Sequence, residues 1–309
     1  MPGILIYSEN VVVTRQLITA GLQLKATMNQ PLYAAVIGAE NAARIAGLGV
    51  DKVFVFEGAG AEVERYADAI ADLAAAGQVE VGLVGGTLRG KGLAARVAAR
   101  IKAGLVTEAQ TVTFANGQLQ TTRLIYGGLA VATEATSLPA LATVAPQTFD
   151  EAPATDRQGE IVPVNVSGAD PRITIGAVDP IIREGVEIGA ASRVVCVGRG
   201  LNKQEDLKMV KDLADAIGAE IGCTRGIAED CHWLPVERYI GISGQKIKPD
   251  FYISLGVSGQ VQHVAGIRDA RIIVAVDTNE KAPIFTVADY GIVGDLYVVA
   301  PLLTAAFKK

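Results

Sequence analysis

The chain has 309 residues, half of them hydrophobic and a fifth charged. At about 150 residues per domain this predicts two domains, each able to build a core, and excludes a disordered chain. With 28 basic and 33 acidic residues the net charge is −5 and no charged run stands out, so a nucleic-acid binder with a basic face is not expected.

Three cysteines, Cys196, Cys223 and Cys231, lack Cys-x-x-Cys spacing and are too few for a disulfide framework, which fits a reducing cytosol. Two histidines, His232 and His263, exclude a His-rich metal site. Met1 leads almost directly into Gly3-Ile4-Leu5-Ile6-Tyr7, too short for a signal sequence, and no apolar run approaches the roughly 18 residues of a membrane span. The expectation is a cytoplasmic protein with no membrane span.

The first half alternates strand and helix. Apolar runs at 3–7, 32–38, 52–56 and 79–84 predict strands. Between them, Val63, Tyr66, Ile70 and Leu73 share one face of a helix over 62–75, and Leu93, Val97 and Ile101 one face over 90–103. Alternation of this kind implies a parallel sheet covered on both faces. Residues 106–145 are rich in Thr and Val, with Asn116-Gly117 and Gly127-Gly128 as turn signals, and predict strands that extend the sheet in antiparallel fashion. Pro146, Pro153, Pro163, Pro171 and Pro180 mark 146–190 as a connecting region, with at best an edge strand at 160–167.

A second α/β unit starts near Arg193. Strands are expected at 193–198, 219–222, 251–255, 271–276 and 296–299, and a helix at 204–217 carrying Leu207, Val210, Leu213 and Ile217. Together they predict a doubly wound sheet. The fold class is therefore α/β in two domains: residues 1–190, a parallel sheet with an antiparallel extension, and residues 191–309, a doubly wound sheet.

Ligands of open parallel sheets bind at the carboxyl ends of the strands. Gly198-Arg199-Gly200 follows the first strand of the second unit and reads either as a tight turn or as a phosphate contact. Arg225 follows Cys223-Thr224 just past a central strand, a position more usual for a surface ion pair. Gly241-Ile242-Ser243-Gly244 is either a loop turn or a set of N–H groups aimed at an anion. Gly256-Val257-Ser258-Gly259-Gln260 joins a strand to a helix whose first turn carries Gln262 and His263, a ready anion site. Asp277 and Asp295 stand at strand ends and suit either ribose hydroxyls or helix caps. No nucleophile–base–acid triad and no carboxylate pair is evident, and Cys196 reads as inert core. Four successive loops of Gly, hydroxyl, Arg, Gln and His suit a long phosphate-containing cofactor such as a dinucleotide.

These residues carry a resemblance. Gly198-Arg199-Gly200-Leu201, Thr224-Arg225, Gly241-Ile242-Ser243-Gly244, Ser258-Gly259-Gln260-Val261-Gln262-His263, and Ala282-Pro283-Ile284-Phe285 leading to Ala288-Asp289-Tyr290-Gly291 resemble the α subunit of electron-transfer flavoproteins, the family that includes FixB-type proteins. Tyr126-Gly127-Gly128 and the helix at 90–102 extend the likeness more loosely over the first half.

The resemblance implies FAD bound mainly by the C-terminal domain. It sets Arg199 at the pyrophosphate, Thr224 and Arg225 by the flavin, and Ile240, Gly241, Ile242 and Ser243 along the isoalloxazine, with the Ser243 hydroxyl near N5. Ser258, Gly259, Gln260, Val261, Gln262 and His263 follow the pyrophosphate, the ribityl chain and the O2 edge, and Asp277, Asp295 and Leu296 match the adenosine end. Two positions depart: Ser243 is often Thr, which keeps the hydroxyl, and Asp277 is often Asn, so Asp there loses an amide donor and adds a negative charge.

A one-electron carrier must stabilise the negative charge that reduction brings to the N1/O2 edge. Arg225, Ser243 and His263 are thus expected to tune the flavin rather than to break bonds. The resemblance also implies a β-subunit partner that holds AMP or a second FAD and docks on the N-terminal half. Electrons are expected from a flavin dehydrogenase such as an acyl-CoA dehydrogenase of fatty acid oxidation, or from NADH in bifurcating members. They would leave to a quinone reductase, ferredoxin or flavodoxin, with a swivel of the flavin domain about residues 180–192. Two other readings stay open: a dinucleotide-dependent enzyme on a fold like that of deoxyhypusine synthases and sirtuins, and a nucleotide-binding sensor.

Overall fold

The computed structural model of the chain describes residues 2–57, 66–77, 79–166, 176 and 188–308. It divides into two compact units, Met1–Ile125 with Ala130–Val178, and Tyr126–Leu129 with Asp179–Lys309. The expected hinge at 180–192 lies, up to residue 187, outside the described residues, as does the start of the helix expected from residue 62.

The first unit runs β1 (Gly3–Tyr7), α1 (Val11–Met28), β2 (Leu32–Ile37), α2 (Ala39–Ala46), β3 (Lys52–Glu57), α3 (Ala67–Ala76), β4 (Val79–Gly85) and α4 (Leu88–Ile101). It continues with β5 (Gly104–Ala115), β6 (Gln118–Ile125), β7 (Ala130–Ser137), β8 (Ala140–Val144) and β9 (Glu160–Asn165). The strands form one nine-stranded sheet in the order β7-β6-β5-β8-β4-β1-β2-β3-β9. Pairs from β5 to β9 across the sheet are parallel, while β5–β6 and β6–β7 are antiparallel, as expected.

Burial of both sheet faces explains the unbroken apolar runs. Along β1, Ile4 and Ile6 join α1 and α2 in one core, while Leu5 and Tyr7 join α3 and α4 in the other. Asn116 and Gly117 both take positive φ at the β5–β6 turn, the conformation their dipeptide favours. Strand β9 lies at the sheet edge with Pro163 in its middle, where a missing donor is tolerated.

The second unit runs β10 (Arg193–Val197), α5 (Leu207–Ile217), β11 (Glu220–Cys223), β12 (Phe251–Leu255), α6 (Val261–Ile267), β13 (Ile273–Asp277), β14 (Tyr290–Val293) and α7 (Leu296–Phe307). Its five strands are all parallel, in the order β11-β10-β12-β13-β14. Val195 and Val197 face a core shared with α5 and α7. Val194 and Cys196 face the opposite core, which includes Ile267 of α6. This is the expected doubly wound sheet, with two corrections.

First, residues 296–299 are helix, not strand. The Asp295 carboxylate caps α7 by accepting from the Tyr297 N–H at 2.9 Å. Leu296 and Ala300, four apart, are buried, while Val298 and Leu302 are exposed, a helical period despite the β-branched Val298-Val299 pair. The fifth strand is instead Tyr290–Val293, paired with β13. Second, β11 is an edge strand, so Arg225 follows the sheet's rim rather than a central strand.

Candidate functional site

The chain passes from β10 to β11 on one side and then back to β12 on the other. The order reverses between β10 and β12, and the loops at their carboxyl ends part there, opening a crevice. The crevice is a cleft of about 700 Å³, within the range of ligand sites.

Backbone contacts build its floor. The Gly200 N–H donates to the Gly256 carbonyl at 3.0 Å, and the Gly198 N–H to that of Leu255 at 3.0 Å. A Cβ on Gly198 would stand 2.3 Å from the Gly256 oxygen. One on Gly256, itself at φ +61, would stand 2.7 Å from the Gly200 Cα. Gly198-Arg199-Gly200 is thus required by the approach of two loops to each other, and that approach leaves the backbone bare at the crevice. Gly259, at φ +79, meets the string Ala282–Phe285 in the same way: its Cβ would lie 2.3 Å from the Ile284 nitrogen, which donates to the Ser258 carbonyl at 3.0 Å. Beyond this turn α6 begins without a side-chain cap, and uncapped first-turn N–H groups suit an anion.

Of the residues singled out above, the lining includes Arg199, Thr224, Arg225, Ile242, Ser243, Ser258, Gly259, Gln260, Gln262, His263, Asp277, Asp295 and Leu296. Ile240, Gly241 and Val261 do not line it. The Ile240 side chain is wholly buried in the core. Gly241 is pressed against α6, where a Cβ on Gly266 would stand 2.7 Å from its nitrogen. Val261 is a partly exposed surface side chain away from the lining.

Each polar group has a local anchor. Thr224 donates its N–H to the Val197 carbonyl at 3.0 Å and leads into a π-helical turn, Gly226–Asp230, a feature common at functional sites. Gly226 leaves room for Arg199, whose Cδ would meet a Cβ there at 2.8 Å. The Arg225 side chain, 66% exposed, pairs with Glu229 at 2.5 Å. Hydrogen bonding to Glu229, then its charge, raises the guanidinium further. This is the ion pair that the position favours, formed inside the cleft's own rim. The Ser243 hydroxyl lies 3.1 Å from that of Tyr239. Asp277 accepts from the Asn279 N–H at 2.8 Å, and Asp295 caps α7, so both acids hold turns at the cleft mouth.

His263 is buried. Its Nδ1 lies 3.0 Å from the Ile240 carbonyl and its Nε2 2.8 Å from the Tyr252 hydroxyl. Burial pulls its pKa down to about 4, the carbonyl contact only partly opposing this, so the ring is neutral at pH 7. The cleft's positive charge resides in Arg199 and Arg225. Burial also pushes the Cys223 thiol up to about 12 and the Cys196 thiol up further, so neither is a nucleophile. Among the described residues no cluster of three His, Cys, Asp or Glu side chains could hold a metal. Ser243 has a tyrosine rather than a base beside it. The groups that line the cleft can bind and orient a ligand.

Sequence reasoning missed Tyr239, Asp230, Thr278 and Gly294, which also line the cleft. Tyr239 adjoins the Ile240–Gly244 string, and its place beside it was the available signal. Asp230 belongs to the π-helical turn, which no apolar period announces.

Residues 9–169 match the electron transfer flavoprotein domain, and residues 187–268 match the electron transfer flavoprotein FAD-binding domain. The chain belongs to the electron-transfer flavoprotein family and is of its α-subunit type. It is 39% identical over 290 residues to the putative electron transfer flavoprotein subunit YdiR of Escherichia coli strain K12, covering 91% of each chain. It is 37% identical over 290 residues to protein FixB of Escherichia coli O157:H7 and to protein FixB of Shigella flexneri, covering 92% of each. No helix among the described residues is long and apolar enough to cross a membrane.

Proposed function

We propose that the cleft of the second unit holds FAD and that the chain, paired with a β subunit, is the flavin-bearing half of an electron carrier. The observation that carries this reading is the convergence of five strand-end loops on one glycine-floored crevice, most of it inside the segment that matches the FAD-binding domain. The residues present fit such a group: bare backbone at Gly198, Gly200, Gly256 and Gly259 admits a pyrophosphate closely, and the uncapped start of α6 and Arg199 offset its charge.

FAD, when bound, supplies the redox chemistry. The chain's own residues bind and orient it. Arg225 and Ser243 stand at the end of the cleft assigned to the ring, Arg225 as a charge and Ser243 as a hydroxyl donor held by Tyr239. Asp277, Asp295 and Leu296 stand at the other end, assigned to the adenosine. The first unit is the face for the β subunit, which carries AMP or a second FAD. A flavin dehydrogenase of the acyl-CoA dehydrogenase type, or NADH in a bifurcating system, is the donor; a quinone reductase, ferredoxin or flavodoxin is the acceptor. All three cysteines are free, in keeping with a reducing, cytoplasmic location.

The test is a visible spectrum and flavin count on the chain co-purified with the product of the neighbouring reading frame. One FAD per pair supports a simple single-electron carrier. Two support a bifurcating pair. A folded, colourless protein that takes up no added FAD overturns the reading and returns the enzyme and sensor alternatives.

A further inference from the structure

His263 stands at the cleft on α6, yet it is only 7% exposed, and both of its ring nitrogens meet groups of the chain. The Ile240 carbonyl, 3.0 Å from Nδ1, can only accept, so Nδ1 carries the proton. Nε2 is then a lone pair, and the Tyr252 hydroxyl donates to it at 2.8 Å. Tyr252 is wholly buried in β12, and Cys196, wholly buried in β10, has its sulfur 3.9 Å from the same Nε2. Among the described residues, these two are the titratable groups whose contacts with the ring from the elements packed against it are seen, and the 240–245 loop contributes the Ile240 carbonyl. None is an acid that would favour an imidazolium.

We infer that Tyr252 is a positioning residue of the cleft: its hydroxyl closes Nε2 and holds His263 as the neutral Nδ1-protonated tautomer, so that His263 offers the ligand an oriented, uncharged ring. The redox consequence rests on the flavin reading; the tautomer rests on the chain alone. Lacking charge, His263 adds little to the potential of the cofactor, and the burden falls on Arg225 and on backbone donors. The hydroxyl is the second anchor of the ring. Without it Nε2 faces apolar surroundings unpaired, and the ring is free to turn about its one remaining bond.

The experiment is 15N NMR of the full chain labelled in histidine. Two histidines are present, and His232→Gln assigns their signals. Wild type should show His263 protonated at Nδ1 and unprotonated at Nε2, unchanged between about pH 6 and pH 8, where an ordinary histidine titrates. Tyr252→Phe should move the Nε2 signal toward that of an unpaired nitrogen. Cys196→Ala, which leaves the Tyr252 bond in place, should move it far less. A wild-type ring protonated at Nε2, one that titrates near neutrality, or a Tyr252→Phe spectrum identical to wild type would overturn the inference. If Tyr252→Phe fails to fold, a wild-type ring protonated at Nε2, or one that titrates near neutrality, still overturns the inference. In the flavin-loaded chain, His263→Gln should lower the flavin potential less than Arg225→Gln; an equal or larger drop would also overturn it. A chain that binds no flavin overturns the functional reading instead and leaves the NMR result standing.

Discussion

The Tyr239 hydroxyl lies 3.1 Å from the Ser243 Oγ, across a tight loop in which Gly244 donates its N–H to the Gly241 carbonyl and Gln245 donates to that of Tyr239. Tyr239 is buried and Ser243 exposed at the cleft, so the tyrosine anchors a hydroxyl whose remaining capacity points outward. A bond of this kind contributes about 0.5–1.5 kcal/mol. Tyr239→Phe should weaken FAD binding by up to roughly tenfold. If it acts through Ser243, the double variant Tyr239→Phe/Ser243→Ala should bind no worse than Ser243→Ala alone. FAD titration by fluorescence quenching across this cycle checks it; additive losses would mean that Tyr239 touches the ligand directly.

Arg225 and Glu229 form an i,i+4 pair on the rim of the cleft. The carboxylate offsets part of the charge that Arg225 presents to a ligand. Arg225→Ala should therefore lower the potential of the bound flavin more than it lowers FAD occupancy. Glu229→Gln should do the reverse to the potential, raising it. Both residues are solvated enough that the fold should stay unchanged. Spectroelectrochemical titration of the two variants, with flavin counted beforehand, gives both quantities; a potential unmoved in either variant would remove Arg225 from the tuning role.

Much of this was legible because buried parallel strands and amphipathic helices leave plain periods: β10, β12 and α5 fall where Arg193–Val197, Phe251–Leu255 and Leu207–Ile217 indicate. The fifth strand was not. Tyr290-Gly291-Ile292-Val293 is short, holds a glycine and is largely exposed, while Leu296–Ala300 is apolar and β-branched. Only the cap from Asp295 and the burial of Leu296 with Ala300 show which is the helix. At the site, composition pointed to the right loops but not to their reasons. Gly198 and Gly200 are needed against Gly256, and nothing beside His263 in sequence announces that Tyr252 of β12 and the Ile240 carbonyl hold its ring. Partners fixed by tertiary contact leave no local period to read.

Asp277 ends β13 at the cleft, and its Oδ1 accepts from the Asn279 N–H. An asparagine keeps that acceptor and removes a negative charge from a crevice suited to a polyanion. Asp277→Asn should tighten FAD binding about twofold to fivefold at low salt, the size of an exposed charge effect. The gain should shrink as salt screens it. Looser binding would mean that the carboxylate itself holds the ligand, as an acid at a strand end can hold ribose hydroxyls.

The glycines predict opposite outcomes at two places. Gly256 combines φ +61 with contacts of 2.7 Å to Gly200 and 2.8 Å to Leu296 for any added Cβ, so Gly256→Ala should cost about 2–4 kcal/mol and empty the cleft. Gly92 lies exposed inside α4 with nothing within 4 Å of an added Cβ. Gly92→Ala should stabilise by about 0.5–1 kcal/mol. Urea unfolding of each variant, with flavin absorbance followed alongside, compares them.

The neutral His263 also sets how the protein responds to acid. Its folded-state pKa is lowered to about 4 from an ordinary 6.5. Between those values the unfolded chain binds a proton that the folded chain refuses, so stability rises with pH across that window. The contribution is fully present above about 6.5 and is lost as pH falls toward 4, amounting to roughly 3 kcal/mol at about 1.4 kcal/mol per unit. His263→Gln cannot titrate. Its stability should therefore fall less than that of wild type between about pH 7 and pH 4, by a margin of that order. Parallel urea titrations at several pH values isolate the difference, since other titrating groups are common to both proteins. Equal slopes would show that His263 takes up its proton in the folded state, and that Tyr252 and Ile240 do not keep it neutral.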